Sequence, residues 1–201
     1  MKVVVIGSTG TIGAAVARAL AARHEVVGVS RRGDPRVDLA DAASIAALFQ
    51  SISAVDAVVC CAGNAAFKPL AQLTEHDFAA SLNSKLMGQV RVVLAAMPMV
   101  KAGGSITVTS GAAAQRPSPG SAVISLINAG LEGFVRAAAL EAPRGLRVNV
   151  VSPPWVEETL ARLGLQAPEH LPAAEVAKAY VAAVEGKANG AVLDPARFIA
   201  P

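Results

Sequence analysis

A doubly wound α/β fold, one parallel sheet with helices on both faces, is the architecture this sequence predicts, on three observations. Strand-length apolar runs alternate with segments of helical period along nearly the whole chain. Such alternation implies right-handed βαβ units and a parallel sheet. The first run, Lys2–Ile6, is continuously apolar after its lysine, as a strand buried on both faces requires. With 201 residues and 53 % hydrophobic side chains, the chain suits a single domain over residues 1–201, large enough to bury about 70 % of its unfolded surface.

Each element follows from its residues. Thr11–Arg23 is Ala-rich and helical, Glu25–Ser30 is the second strand, and Arg36–Asp38 is a short third one. Asp41 can cap a helix over Ala42–Ile52, because its carboxylate reaches the orphan amides of the first turn. Asp56–Cys61 is the fourth strand. Thr74 caps a long helix near Glu75–Met97, with Glu75 and Asp77 at its positive end. Ser105–Thr109 is the fifth strand. Ser121–Ala142 is a second long helix, ended by Pro143 and Gly145. Leu146–Val151 is the sixth strand, Pro172 opens a helix over Ala173–Glu185, and Ala191–Leu193 is a last strand. Pro153–Pro172 is the most irregular stretch and is expected as a loop or lid.

Composition narrows the function classes. Charged residues are 16 % of the chain, its net charge is +3, and Lys and Arg are scattered. No basic run marks a nucleic-acid surface. The longest apolar stretch, Val92–Val100, is about half of the ~18–20 residues a membrane span needs, and it contains Pro98. The apolar run after Met1 breaks at Gly7, too early for a signal-peptide core. Cys60 and Cys61 are neighbours on a strand and point to opposite faces, so they are expected as reduced thiols in a cytoplasmic protein. His24, His76 and His170 do not cluster, and no metal spacing is present; His170 alone is placed to approach a substrate pocket.

Gly7-Ser8-Thr9-Gly10-Thr11-Ile12-Gly13 joins the first strand to the first helix. One glycine permits the turn, one lets the backbone approach a pyrophosphate, and one lets helix and strand pack closely. Free N–H groups and the helix dipole then face the phosphates. A Rossmann-type dinucleotide site is therefore expected. The second strand ends in Ser30-Arg31-Arg32. An acid there would accept from a ribose 2′-hydroxyl and repel a 2′-phosphate, whereas guanidinium grips phosphate in a bidentate fork. NADP(H) is expected in preference to NAD(H). Asp38, with Leu39 beside it, is placed to meet the adenine edge or to cap its own loop.

At this point the chain resembles the short-chain dehydrogenase/reductase family over nearly its full length. Gly7–Gly13 resembles the family's glycine turn, in the spacing of its atypical branches. Cys61-Ala62-Gly63 resembles the Asn-Ala-Gly motif, Ser105–Ser110 the strand that ends in the catalytic serine, and Arg147–Pro153 the Arg-Val-Asn strand before a Pro-Gly turn. The resemblance implies carbonyl reduction or alcohol oxidation. In the family a Tyr carries the proton, a Lys lowers its pKa and holds the ribose, a Ser polarises the oxygen, and an Asn supports a water relay.

Ser110 is present; the others are not. Pro119-Gly120 and Ala129–Phe134 set the register, which puts Ile124 at the Tyr position and Asn128 at the Lys position. The single tyrosine, Tyr180, lies in the last helix. Counting back from Gly88 puts Lys85 at the Asn position, with Asn83 the candidate under a shifted register. Lys and Asn have thus changed places. Two readings are open: Lys85 serves the reaction from the other side with Asn128 completing the hydrogen bonds, or Lys85 is solvated or salt-bridged and the site has decayed. Pro154 stands where the family has glycine. Pro153 and Val156 still fall where the family's backbone meets the carboxamide. The Thr that follows in the family maps to Glu158 or Thr159. Trp155 either walls the nicotinamide pocket or packs beneath the loop.

The function implied is an NADP(H)-dependent oxidoreductase of a small carbonyl or alcohol, with Ser110 donating to the substrate oxygen. A nucleotide-binding sensor with little turnover is the alternative. The brevity of Pro153–Pro172 implies a small or shallow pocket. The family's subunits pair through the helices corresponding to residues 75–97 and 121–142, so a homodimer or homotetramer is expected.

Overall fold

A computed structural model describes residues 1–199. Its elements are β1 (Lys2–Ile6), α1 (Thr11–Ala21), β2 (Glu25–Val29), α2 (Ala42–Ser51), β3 (Val55–Cys60), α3 (Glu75–Ser81) and α4 (Gly88–Ala96), then β4 (Val100–Thr109), α5 (Ala122–Glu141), β5 (Arg147–Val151), β6 (Trp155–Val156), α6 (Glu157–Leu163), β7 (His170–Leu171), α7 (Ala173–Glu185) and β8 (Val192–Leu193). Six strands form one parallel sheet in the order β2-β1-β3-β4-β5-β8. The order reverses between β1 and β3, which opens a crevice at the carboxyl ends of the strands.

The strands are apolar on both faces because both faces are covered. Val4 and Ile6 of β1, with Val58, Cys60, Ile106 and Val148, pack on the side of α2, α4 and α5. Val3 and Val5, with Ala57, Val59 and Val151, pack on the side of α1 and α7. Side chains alternate at period two inside one apolar run. Each fully buried valine contributes roughly 1.5–3 kcal/mol over leaving it in water.

Two expected elements differ. Arg36–Asp38 forms no strand; a single bridge joins Ser30 to Arg36, because Gly33 and Pro35 break the run. β4 begins at Val100 rather than Ser105. It passes through a register shift at Gly103 and Gly104, where a Cβ on Gly104 would lie 2.4 Å from the Asp56 carbonyl oxygen.

The long helix expected over Glu75–Met97 has three parts. Leu82–Met87 between α3 and α4 is π-helical. A π turn holds one more residue than an α turn and re-aims its side chains, and such turns recur at functional sites. The helix begins with a reciprocal cap: Thr74 Oγ1 accepts from the Asp77 amide at 3.2 Å, and Asp77 accepts from the Thr74 amide at 2.8 Å. Lys68, 2.7 Å from Asp77, and these donors hold the Asp77 carboxyl well below the usual range. A Thr74→Ala variant is expected to melt about 2–8 °C lower, from a cap worth roughly 0.5–2 kcal/mol; an unchanged Tm would count against the cap.

α5 is long and apolar enough to cross a membrane. It is a core helix, with Val123, Ile127, Leu131 and Val135 buried. Leu94 on α4 and Leu126 and Leu140 on α5 are exposed on the two helices expected to pair subunits. Pro153–Pro172 is not the irregular loop expected: it carries α6 and the paired strands β6 and β7.

Candidate functional site

The crevice at the strand ends opens into a cleft of about 760 Å³. The segment Pro153–Pro172 contributes Trp155, Val156, Thr159 and Leu160 to one side of it, and Ile12, Cys61, Ala62 and Gly63 of the expected cofactor residues line it too. The loop after β4 and Phe67 wall its other side.

The turn after β1 is shaped by its glycines. Gly7 adopts φ +87°, and a Cβ there would meet the Ala62 amide nitrogen at 3.0 Å. A Cβ on Gly13 would lie 2.0 Å from the Gly7 carbonyl oxygen. Gly7 and Ser8 donate to the Val29 carbonyl, at 2.8 and 3.2 Å, and Gly10 donates to Gly7 at 2.9 Å. The α1 N-terminus has no side-chain cap and no acid in its first turn. The amides of Thr11, Ile12 and Gly13 therefore open the helix without acceptors. A backbone cradle with no side chain filling it, at the positive end of a helix, fits a pyrophosphate.

At the end of β2, Ser30 is buried while Arg31, Arg32 and Arg36 are exposed. Among the described residues none of these three arginines is in an ion pair. Asp38 accepts from the Ala40 amide at 3.0 Å and so caps its own loop. Leu39 is buried against Gly88 and offers a ligand no side chain.

The lysine and asparagine that changed places do meet in the cleft. Lys85 lies on the π turn, and its Nζ donates to the Ser110 carbonyl at 3.2 Å. Gly63 adopts φ +127° against it, where a Cβ would lie 2.9 Å from the Lys85 Cα. Desolvation pulls the Lys85 pKa down to about 8. Asn128 Nδ2 donates to the next carbonyl, Gly111, at 3.3 Å, and its buried Oδ1 has no partner. Both side chains line the cleft with Ile12, Cys61, Ala62, Gly63, Ile124, Pro153 and Val156. Asn83 is held elsewhere, donating to the Ala40 carbonyl and accepting from Arg91.

Ser110 departs from expectation. Its hydroxyl donates to Glu132 Oε1 at 3.0 Å, so its one proton is not free for a substrate oxygen. Sequence reasoning missed Glu132. Tyr180 is fully buried beneath the site: Thr109 Oγ1 donates to the Cys60 carbonyl, which leaves the Tyr180 hydroxyl to donate to Thr109 at 2.7 Å. Burial pushes its pKa well up, and it does not line the cleft. Glu158 accepts from the Ala173 amide at 2.9 Å and caps α7, while Thr159 lines the cleft. Trp155 lines it too, edge-on to Phe67 with ring centres 5.3 Å apart. His170 hydrogen-bonds the Ala167 carbonyl outside it. Among the described residues no group of three metal-ligating side chains occurs.

Comparison with known proteins gives the family. The family model described as enoyl-(acyl carrier protein) reductase matches residues 4–184. The chain is 31 % identical to the hydroxynaphthalene reductase arp2 of Aspergillus fumigatus over 132 residues, 63 % of this chain and 48 % of that protein. It thus spans about half the length of that relative. It is 28 % identical to dehydrogenase/reductase SDR family member 4 of Homo sapiens over 190 residues, 79 % of this chain and 67 % of that one. The protein lin1944 from Listeria innocua superposes with a TM-score of 0.93 at 35 % identity, covering 96 % of this chain and 98 % of that chain. A small-chain dehydrogenase in complex with NADPH superposes with a TM-score of 0.86 at 26 % identity, covering 96 % and 95 %. On a match of this extent, the chain belongs to the short-chain dehydrogenase/reductase family.

Proposed function

We propose that this protein is an NADP(H)-dependent oxidoreductase that reduces a small carbonyl compound or oxidises the matching alcohol, with Lys85 in place of the family's tyrosine. The observation that carries this reading is the Lys85 ammonium, inside the cleft, bound to a single backbone carbonyl and without a carboxylate partner among the described residues. Gly7–Gly13 would hold the pyrophosphate, Arg31 and Arg32 the 2′-phosphate, and Cys61–Gly63, Pro153 and Val156 the nicotinamide end. The bound nicotinamide supplies hydride exchange. The rest falls to the protein. Below about pH 8 Lys85 is charged and donates N–H to a carbonyl oxygen, where its charge favours the developing alkoxide. It then releases its proton to that oxygen and regains one from solvent. Asn128, tied to Gly111, offers its unpartnered Oδ1 as an acceptor. Ile124, Phe67, Trp155 and Leu160 give the cleft apolar walls around the reacting end, and its open mouth lets solvent return the Lys85 proton.

Trp155 is the single tryptophan and lines the cleft, so its emission reports occupancy. NADPH is expected to bind at least about tenfold more tightly than NADH. Arg31→Ala should weaken NADPH alone, by about 10-fold, the scale of one charge-assisted phosphate contact. Equal affinity of the native protein for both cofactors would reject the 2′-phosphate assignment. NADPH oxidation against aldehydes, ketones and quinones then tests turnover. Tight NADPH binding with no turnover across that panel would move the chain to the binding-only class.

A further inference from the structure

The Ser110 hydroxyl is surrounded by acceptors. It is 2 % exposed, with Glu132 Oε1 at 3.0 Å and the Val151 carbonyl at 3.4 Å. A serine carries one proton, and both neighbours compete for it. Glu132 lies one turn after Asn128 on α5 and is 4 % exposed. A carboxylate so buried is tolerated only when donors saturate it. Three segments supply them. Ser110 from the end of β4 and Ser152 from the end of β5, at 3.1 Å, bind Oε1, and Gln115 from the loop after β4 binds Oε2. These are the segments that wall the cleft, and the Ala112 amide joins them again through the Pro153 carbonyl at 2.8 Å.

We infer that Glu132 is a positioning residue: it fixes Ser110 as a hydrogen-bond acceptor at the strand ends and so leaves donation to the reacting oxygen to Lys85. The catalytic half of this inference rests on the oxidoreductase reading; the orientation of Ser110 does not. The Glu132 side chain accepts the Ser110 hydrogen bond, and Ser110 Oγ turns lone pairs alone toward the cleft. A serine free of Glu132 would offer a proton there, and Lys85 would then have a second donor beside it.

Two variants of the full chain separate these states. Glu132→Gln keeps a carbonyl oxygen where Ser110 and Ser152 need an acceptor. Glu132→Leu removes it. Crystal structures with NADPH are expected to show Ser110 Oγ on residue 132 in the native protein and in Glu132→Gln, and turned into the cleft in Glu132→Leu. In turnover, native protein and Glu132→Gln should lose rate above about pH 8, as Lys85 loses its proton. At pH 9 about a tenth of the plateau rate would remain for a group titrating near 8. Glu132→Leu should flatten that fall and keep more than about half its own plateau. A purely structural role would scale the rate down equally at every pH and leave the profile's shape unchanged; that outcome overturns the inference. So does a native NADPH complex in which Ser110 Oγ lies beyond hydrogen-bond reach of Glu132, which needs no variant to fold. If no carbonyl compound is turned over, the oxidoreductase reading fails, while the Ser110 orientation in the crystals still decides the role of Glu132.

Discussion

Lys85→Met is expected to lower kcat about 10²–10⁴-fold, the usual cost of losing a positioned proton donor, while raising thermal stability at neutral pH. The two effects share a cause. Lys85 is half-buried, its stem against Gly63 and its ammonium on the Ser110 carbonyl, and burial draws its pKa from 10.5 to about 8. Between those values the unfolded chain carries the Lys85 proton and the folded chain does not. The unfolded state then binds more protons, so this group makes stability rise with pH across the window. Below about pH 8 both states are charged and the cost of burying the charge is present in full. Methionine fills similar volume without that charge. The gain in Tm should therefore be largest below pH 8, about 2–4 °C for each kcal/mol of relieved desolvation, and should fade toward pH 10.5. In the native enzyme, carbonyl reduction should fall through about pH 8 and alcohol oxidation should rise through it. A Lys85→Met protein that melts lower at pH 7 and keeps its turnover would reject both the burial argument and the catalytic role.

The parts of the site that were legible from sequence are those where backbone geometry is local. Gly7, Gly10 and Gly13 declare themselves because a turn and a close helix–strand contact are made within seven residues. Lys85 could be placed because Gly88 is an anchor three residues on. The π turn that aims Lys85 could not, since its six residues have no composition of their own and the backbone that meets Lys85, at Gly63, lies 22 residues earlier in the chain. Glu132 had a signal that went unused. It falls on the buried stripe of Asn128, Leu131 and Val135, and a carboxylate on an apolar stripe needs partners. Those partners, Ser110, Gln115 and Ser152, lie on other segments, and no spacing rule finds them. Tyr180 is the same case in reverse. It is 71 residues from Thr109 in sequence, yet α7 crosses under the sheet to bring its hydroxyl within 2.7 Å. Arg36–Asp38 failed as a strand for a local reason, having too few residues after Pro35 to build a ladder.

Gly13→Ala is expected to weaken NADPH binding by on the order of 10²-fold, while the same change at Gly133 should do no harm. At position 13 the added Cβ would lie 2.0 Å from the Gly7 carbonyl oxygen and 2.6 Å from its carbon. Gly7 cannot retreat. Its amide is held to the Val29 carbonyl at 2.8 Å, and its carbonyl takes the Gly10 amide at 2.9 Å. The start of α1 would have to move more than 1 Å to restore ordinary contact at 3.4 Å, and a displacement of that size at a phosphate-facing helix costs on the order of 10²-fold in a positioned interaction. Overpacking of about 1–3 kcal/mol should also lower Tm by roughly 3–10 °C. Gly133 is the control on α5: nothing lies within 4 Å of its Cβ position, so alanine there should gain up to about 1 kcal/mol from helix propensity and leave NADPH affinity unaltered. The comparison isolates geometry from composition, since both variants add one methyl group to a helical glycine. If Gly13→Ala binds NADPH as the native protein does, the turn after β1 is not where the pyrophosphate sits, and the cofactor assignment at Arg31 and Arg32 loses its anchor.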